Sequence, residues 1–352
     1  MAMKWFLISS FVKGPRPGWL FGHVPLQARD VTAVPAAYDH DRSRDTSSAR
    51  DWVDYFGHAR AAFRTMRQAR GRVGLITTFP QLAVCAGLLK RTVYWRRPLP
   101  VIAWMFNLKR PYEGIKGHVA RFALRAADRI VVHSRAEVTG YSRWLRLPEE
   151  RFVYVPLSAE VPDVRWEDDA QRAPYVIALG TANRDYRSLF AALAQTGLPA
   201  IVVAGPSAVE GLDVPSNVQV RSGLSLAQCH RLVSRACLQV IPIAEVDAPS
   251  GQVTLIEGMM IGCPLVVTRC AGSTDYLDDE CEGLMVPPRD AGALAGAMLR
   301  LWHDPALRVR LGGAARERAL SHYVFPSAAR AMAALLDEVA APAPSVRVPS
   351  ST

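Results

Sequence analysis

The sequence predicts an α/β protein: two Rossmann-like, doubly wound parallel-sheet domains facing across a cleft. Three observations predict it. Short Val/Ile/Leu-rich runs alternate with helically spaced segments in two successive series. A stretch rich in Pro, Asp and Glu, residues 156–174, interrupts the alternation midway. The length of 352 residues, with 50% hydrophobic and 21% charged side chains, suffices for two hydrophobic cores. The expected division is residues 1–158, a linker over 159–174, a second domain over 175–325, a closing helix over 326–340, and a Pro/Ala/Ser-rich disordered tail over 341–352.

In the first series, Trp5 to Val12 reads as a buried strand ending in a Gly/Pro loop. Val31–Val34 is a short strand, and Asp51 to Arg70 has helical spacing, with Val53, Phe56, Phe63 and Met66 on one side. Arg60, Arg64 and Arg67 share another side. Strands follow at Val73–Thr77, Val101–Trp104, Arg129–Ser134 and Phe152–Val155. Helices lie between them at Pro80–Lys90, with proline in its first turn, at Gly114–Ala127 and at Glu137–Leu145. The second series has strands at Tyr175–Leu179, Ala200–Ala204, Val218–Arg221, Cys237–Ile243, Pro264–Thr268 and Gly283–Val286. Its helices are expected at Tyr186–Thr196, Ser225–Ser234, Val253–Ile261, Ala291–Trp302 and Pro305–Ser321, with a last one at Ser327–Val339.

Composition narrows the function classes. The six cysteines show no CxxC pair or framework spacing, so they read as reduced thiols of a cytoplasmic protein. The eight histidines form no HExxH pair, and no metal site is expected. The apolar run after Lys4 is short and leads into Lys13-Gly14-Pro15-Arg16 rather than a cleavage site, and no stretch reaches membrane-spanning length. The net charge of +10 is uneven: residues 1–160 hold 26 Lys+Arg against 12 Asp+Glu, and residues 161–352 hold 16 against 20. Two units with different partners are implied.

The most informative segment runs from Pro249 to Thr268. A strand enters a loop containing Ser250 and Gly251, then a helix carrying Thr254 and Glu257 in its first turns, which stops at Gly262 before Pro264 opens the next strand. Such a helix start offers free N–H groups and a positive dipole end to a phosphate. Gly251 permits close approach, and Glu257 is placed to accept from ribose hydroxyls or simply to favour the helix start. Gly180-Thr181-Ala182-Asn183-Arg184-Asp185-Tyr186-Arg187 is a second such turn, where Arg184 or Arg187 could neutralise a diphosphate.

This segment resembles the donor-site signature of the retaining GT-B glycosyltransferases of family four, Glu-Gly-Phe-Gly-x-x-x-x-Glu-Ala-Met-Ala-x-Gly-x-Pro-Val-Val-Ala-Thr. Glu257, Met259, Gly262, Pro264, Val266 and Thr268 fall on matching positions, and Ala271–Asp275 resembles the Gly-Gly loop that follows. The resemblance covers most of 175–340, and 70–160 more loosely. It departs at Pro249, which stands where the family has its first glutamate, with an atypical Ser250-Gly251-Gln252 loop after it. It departs again in having no lysine after Lys116 to grip the diphosphate.

The resemblance implies a nucleotide diphosphate sugar as donor and no cofactor. Donor contacts would come from Gly180, Thr181, Asn183, Arg187, Ser250, Gly251, Gln252, Thr254 and Glu257, and catalytic roles would fall to Arg184, Asn107 and His133. Asn107 sits where relatives often carry a cleft-facing histidine, though a turn before Pro111 also explains it. His133 ends a strand, where a core histidine is the alternative. Gly14 and Gly18 lie in the first loop, where relatives pass close to donor and acceptor, and are taken as acceptor-side residues. The acceptor itself is expected to be a glycan or lipid-linked precursor. Lys90–Arg97 and the Arg60/Arg64/Arg67 face suit an anionic membrane surface, and no nucleic-acid motif appears. A non-catalytic nucleotide-sugar-binding or scaffold protein is the alternative, favoured by Pro249.

Overall fold

The structure, a computed structural model, describes residues 3–16, 18–40, 47–96, 98–108, 111–168, 173–244 and 247–341. The expected tail therefore lies outside the described residues except for Ala341, and so does part of the expected linker. Two compact units emerge. The first comprises residues 1–131, 142–153 and 329–352, and the second comprises residues 132–141 and 154–328. The division departs from the expected one in two places. Val132–Tyr141 groups with the second unit, and the closing helix groups with the first from Ala329 onward.

In the first unit, strands β1 (Lys4–Ile8), β2 (Val31–Val34), β3 (Val73–Thr78), β4 (Val101–Trp104), β5 (Arg129–Val132) and β6 (Phe152–Tyr154) form one sheet in the order β2-β1-β3-β4-β5-β6. β1 is shorter than its apolar run because Val12 N–H turns back to the Ser9 carbonyl and Thr78 donates to the Ser9 hydroxyl at 3.0 Å. Helices α1 (Ala49–Gln68), α2 (Pro80–Thr92) and α3 (Gly114–Leu124) follow. Phe63 and Met66 of α1 and Leu82, Cys85 and Leu89 of α2 bury against Phe6, Ile8, Leu75 and Val101 of the sheet. The helix α4 (Arg135–Leu145) begins two residues earlier than its pattern suggests, because Asp275 accepts from the Arg135 N–H at 2.7 Å and from Ser134 Oγ at 2.9 Å.

The second unit carries β7 (Val176–Leu179), α5 (Tyr186–Thr196), β8 (Ala200–Val203), β9 (Val218–Arg221), α6 (Leu226–Arg235), β10 (Leu238–Ile241), α7 (Gln252–Ile261), β11 (Leu265–Thr268), β12 (Leu284–Val286), α8 (Ala291–His303) and α9 (Pro305–His322). The last helix, α10 (Phe325–Ala340), begins in this unit. The sheet order is β12-β11-β10-β7-β8-β9, with every pair parallel. Seven of the ten residues of α7 are buried, which is why its sequence is apolar all round rather than striped. Among the described residues no helix is long and apolar enough to cross a membrane.

Candidate functional site

A doubly wound sheet binds ligands where its strand order reverses, because the connections on either side of that point leave on opposite faces and open a crevice. In the second sheet the reversal falls between β10 and β7. The loops after those two strands are residues 180–185 and 242–251, and they meet. Asp185 N–H donates to the Pro242 carbonyl at 3.1 Å, and Arg184 bridges to Ile243.

Arg184 is the centre of the meeting point. Its Nε donates to the Leu179 carbonyl at 3.0 Å, Nη1 to the Ala182 carbonyl at 2.9 Å, and Nη2 to Thr254 Oγ1 at 3.1 Å. These partners are all neutral, and among the described residues no carboxylate pairs with the guanidinium. Burial lowers its pKa, a sign of how far water is excluded. Gly180 makes room: its φ is 114°, and a Cβ there would lie 2.6 Å from the Arg184 Nη2. Any other residue would push the guanidinium off the loop.

That guanidinium reaches the start of α7. Gly251 is the N-cap at φ 76° and supplies no side-chain hydrogen bond, so the first N–H groups of the helix lack a side-chain cap. A Cβ on Gly251 would meet Ile243 Cδ1 at 2.8 Å and Arg184 Nη1 at 3.6 Å. Behind it, a Cβ on Gly272 would lie 2.6 Å from the Ser250 nitrogen, so the Ala271–Asp275 loop holds the Ser250 backbone in place. A fixed cation and an uncapped helix dipole thus converge on one spot, an arrangement suited to an anion with two or more phosphates.

The other expected donor residues divide. Ser250 is half-buried in the loop beside Gly251. Thr181 is exposed and accepts from the Gly205 N–H at 2.9 Å, and Asn183, at φ 53°, accepts from the Ala244 N–H. Arg187 is exposed in the first turn of α5. Gln252 is turned inward, away from the Arg184 cluster's partners. It is buried, and its Nε2 donates inward to the His133 carbonyl at 2.8 Å and to the Tyr276 hydroxyl at 3.0 Å.

Glu257 is half-buried with His230 Nε2 3.4 Å away. Burial raises its pKa and His230 opposes that rise. Nothing in the sequence spacing links His230 on α6 to Glu257 on α7; only the packing of those two helices does. Tyr276 was equally hidden, and its hydroxyl donates to the His133 carbonyl and accepts from Leu157 N–H as well as Gln252.

His133 lies inside the protein rather than at its surface. It is 4% exposed, and its ring Nδ1 lies 2.7 Å from the Val155 carbonyl. Burial holds its pKa down at about 4, so it is a neutral core group with no face open to substrate. Asn107 is exposed in the loop after β4. Gly14 is half-buried, and Gly18, at φ 53°, opens a short 3-10 turn over Trp19–Gly22. Among the described residues no group of three or more His, Cys, Asp or Glu side chains is gathered to hold a metal ion.

Comparison with known proteins places these features. Residues 175–304 match the family described as glycosyl transferases group 1. O-antigen chain mannosyltransferase C of Escherichia coli is 27% identical over 217 residues, covering 55% of this chain and 56% of that protein. The chain thus spans about half the length of the curated relative it matches. Among solved structures, sucrose-phosphate synthase from Thermosynechococcus elongatus aligns with a TM-score of 0.69 at 18% identity, over 96% of this chain and 99% of the other. Anabaena HepE in complex with UDP and glucose aligns at 0.68 and 14% identity, over 96% and 100%. The chain therefore has the GT-B fold, and its residues 175–304 are similar to the group 1 glycosyltransferases.

Proposed function

We propose that the protein transfers a hexosyl group from a nucleotide diphosphate sugar to a hydroxyl of a glycan or lipid-linked precursor. The observation that carries this reading is Arg184, held by neutral partners against the uncapped start of α7 at the switch point of the second sheet. Its charge would meet the negative charge that grows on the departing diphosphate. Such a fixed, desolvated donor set needs no reorganisation as the bond breaks. The same set would perform the leaving-group role without a bound metal, and resemblance to family four favours retention of configuration. Glu257 would accept from the ribose hydroxyls, with Ser250 and the Gly251 backbone near the sugar and diphosphate. The likeness to an O-antigen chain mannosyltransferase favours a polysaccharide acceptor, and a lipid-linked one would lie at a membrane surface.

The test is thermal stabilisation across UDP-, GDP-, ADP- and TDP-sugars, since a ligand that binds the native state raises its stability. It is followed by mass-spectrometric detection of transfer or donor hydrolysis. Stabilisation by one nucleotide sugar, with turnover, is expected; no stabilisation by any of them sinks the reading. Pro249 favours a second reading, because it puts neither a carboxylate nor an N–H where relatives have a glutamate. Nucleotide-sugar binding with no turnover across a broad acceptor panel would select a binding or scaffold role instead.

A further inference from the structure

The first unit carries a surface that the transfer reaction leaves unused. Helix α3 buries Gly117, Ala120, Ala123 and Leu124 and turns its other side outward. On that side Ile115 is 85% exposed, Val119 40% and Phe122 42%. These positions, i, i+4 and i+7, form one ridge. A helix with only a solvated outer face would carry polar residues there. Three large apolar side chains in a row call for a partner.

Basic groups surround the ridge. The Arg91 guanidinium lies over the Phe122 ring, 4.4 Å from its centroid, and Arg96 covers Trp95 in the same way at 4.6 Å. Trp95 is itself 66% exposed. Beside it lies an open depression of about 370 Å³ lined by Lys90, Arg91, Trp95, Arg125 and Arg151, with Ala126 and Asp128. Asp128 is the one carboxylate in that lining, and it is engaged by Lys90 at 3.1 Å and by the Val101 N–H at 2.8 Å. Arg91, Arg125 and Arg151 therefore give the depression an excess of positive charge. Over residues 90–125 the sequence holds nine Lys and Arg and one acidic residue, Glu113.

We propose that the α3 ridge and this depression form a docking surface for an anionic lipid bilayer. Ile115, Val119 and Phe122 would enter the acyl boundary, Trp95 would sit at headgroup level, and the arginine-lined depression would take a lipid phosphate. The two components need each other, because an apolar ridge or a basic patch alone gives only weak, reversible attachment. Nucleic acid fits less well, since an aliphatic ridge answers nothing on a phosphate backbone. The inference rests on the membrane-side acceptor reading above, yet it is separable from donor chemistry. It keeps the expected Lys90–Arg97 contact, adds α3 to it, and leaves out the Arg60/Arg64/Arg67 face of α1.

Flotation of the full chain with phosphatidylcholine vesicles, with and without about one-third phosphatidylglycerol, tests it. Wild type should float only with the anionic vesicles. Arg91→Glu/Arg125→Glu should weaken that binding by about tenfold or more, given a loss of about fivefold per cation removed. Ile115→Ser/Phe122→Ser should abolish the fraction that survives raised salt, because apolar insertion is not screened. Arg60→Glu/Arg64→Glu on α1 should float nearly as wild type. Nucleotide-sugar stabilisation in vesicle-free solution should be unchanged in every variant, which shows folding and separates this test from that of the transfer reaction. Equal flotation with neutral vesicles, or α3 variants that float as wild type, would overturn the proposal. So would a salt-sensitive duplex RNA complex without vesicle binding, or a dimer that Ile115→Ser/Phe122→Ser dissociates.

Discussion

Both sheets are doubly wound, yet their switch points are furnished in opposite ways. In the second unit the reversal between β10 and β7 is lined by Gly180 and Gly251 at positive φ and by a desolvated Arg184. In the first unit it falls between β1 and β3. The loops there bring Phe11 edge-on to Trp19 at 4.9 Å and to Phe79 at 6.1 Å. Trp19 and Phe79 take φ of 47° and 63°, which for a bulky residue costs about 1–3 kcal/mol and persists only where the surroundings enforce it. One crevice is therefore a small cationic recess for a charged group. The other is a stiff apolar rim. The fold supplies the place, and a few side chains decide what chemistry it offers.

The largest test of that contrast is to remove the charge. Arg184→Ala should lower transfer by about 100- to 1,000-fold, the usual loss for one preorganised donor at developing negative charge. Arg187→Ala, exposed on α5, should change it by less than about threefold. Steady-state kinetics with the identified donor decide between them, and the reverse order would move the diphosphate site along α5. Next in size is Glu257→Ala. Loss of a hydrogen bond to a charged group should weaken nucleotide binding about 10- to 100-fold by calorimetry, with the melting temperature of the free protein little changed. Unchanged affinity would leave Glu257 as only a partner of His230. Smaller again, Trp19→Ala should raise the acceptor KM by about tenfold while leaving the donor KM alone, the value expected when one aromatic face is lost. An equal effect on both substrates would erase the distinction between the two crevices.

The elements were legible because they depend on local pattern. The apolar runs from Val73–Thr77 to Gly283–Val286 and the turns between them specify strand and helix almost residue by residue. The site was legible only where it is local: Gly180, Arg184, Gly251 and Thr254 lie within a few residues of a strand end or helix start. What was not legible depends on distant segments. Gln252 sits beside Gly251, yet it turns inward because Tyr276 and the His133 carbonyl, more than 20 residues away on either count, present partners to it. His133 ends a strand, as chemistry-bearing residues often do, but Val155 and the packing around it close it off. His230 reaches Glu257 through helix packing that no sequence spacing encodes. The exposed ridge on α3 had a different obstacle, since periodicity alone does not say which apolar face of a helix is buried.

The end of β5 offers the smallest and sharpest test that chemistry belongs to the switch points and not to every strand end. His133 and Glu137 are both buried there, and burial moves them in opposite directions. His133 is held at about 4, and Glu137 is pushed up to about 7 although Tyr141 donates to its Oε1 at 2.8 Å. Glu137 contributes stability that is fully present below its unfolded value near 4.5 and lost as pH rises to about 7. His133 contributes stability that is fully present above its unfolded value near 6.5 and lost as pH falls to about 4. Between these limits the two slopes oppose each other, so this pair should leave wild-type stability nearly flat. Glu137→Gln should uncover a fall of about 2–3 kcal/mol as pH drops from 6.5 to 4.5, at roughly 1.4 kcal/mol per unit. His133→Gln should uncover the opposite slope. Urea midpoints measured across pH report both, with donor affinity at pH 7.5 as the control. Profiles parallel to wild type would show that the two groups do not titrate in opposition. Loss of donor affinity in His133→Gln would return this strand end to the catalytic machinery.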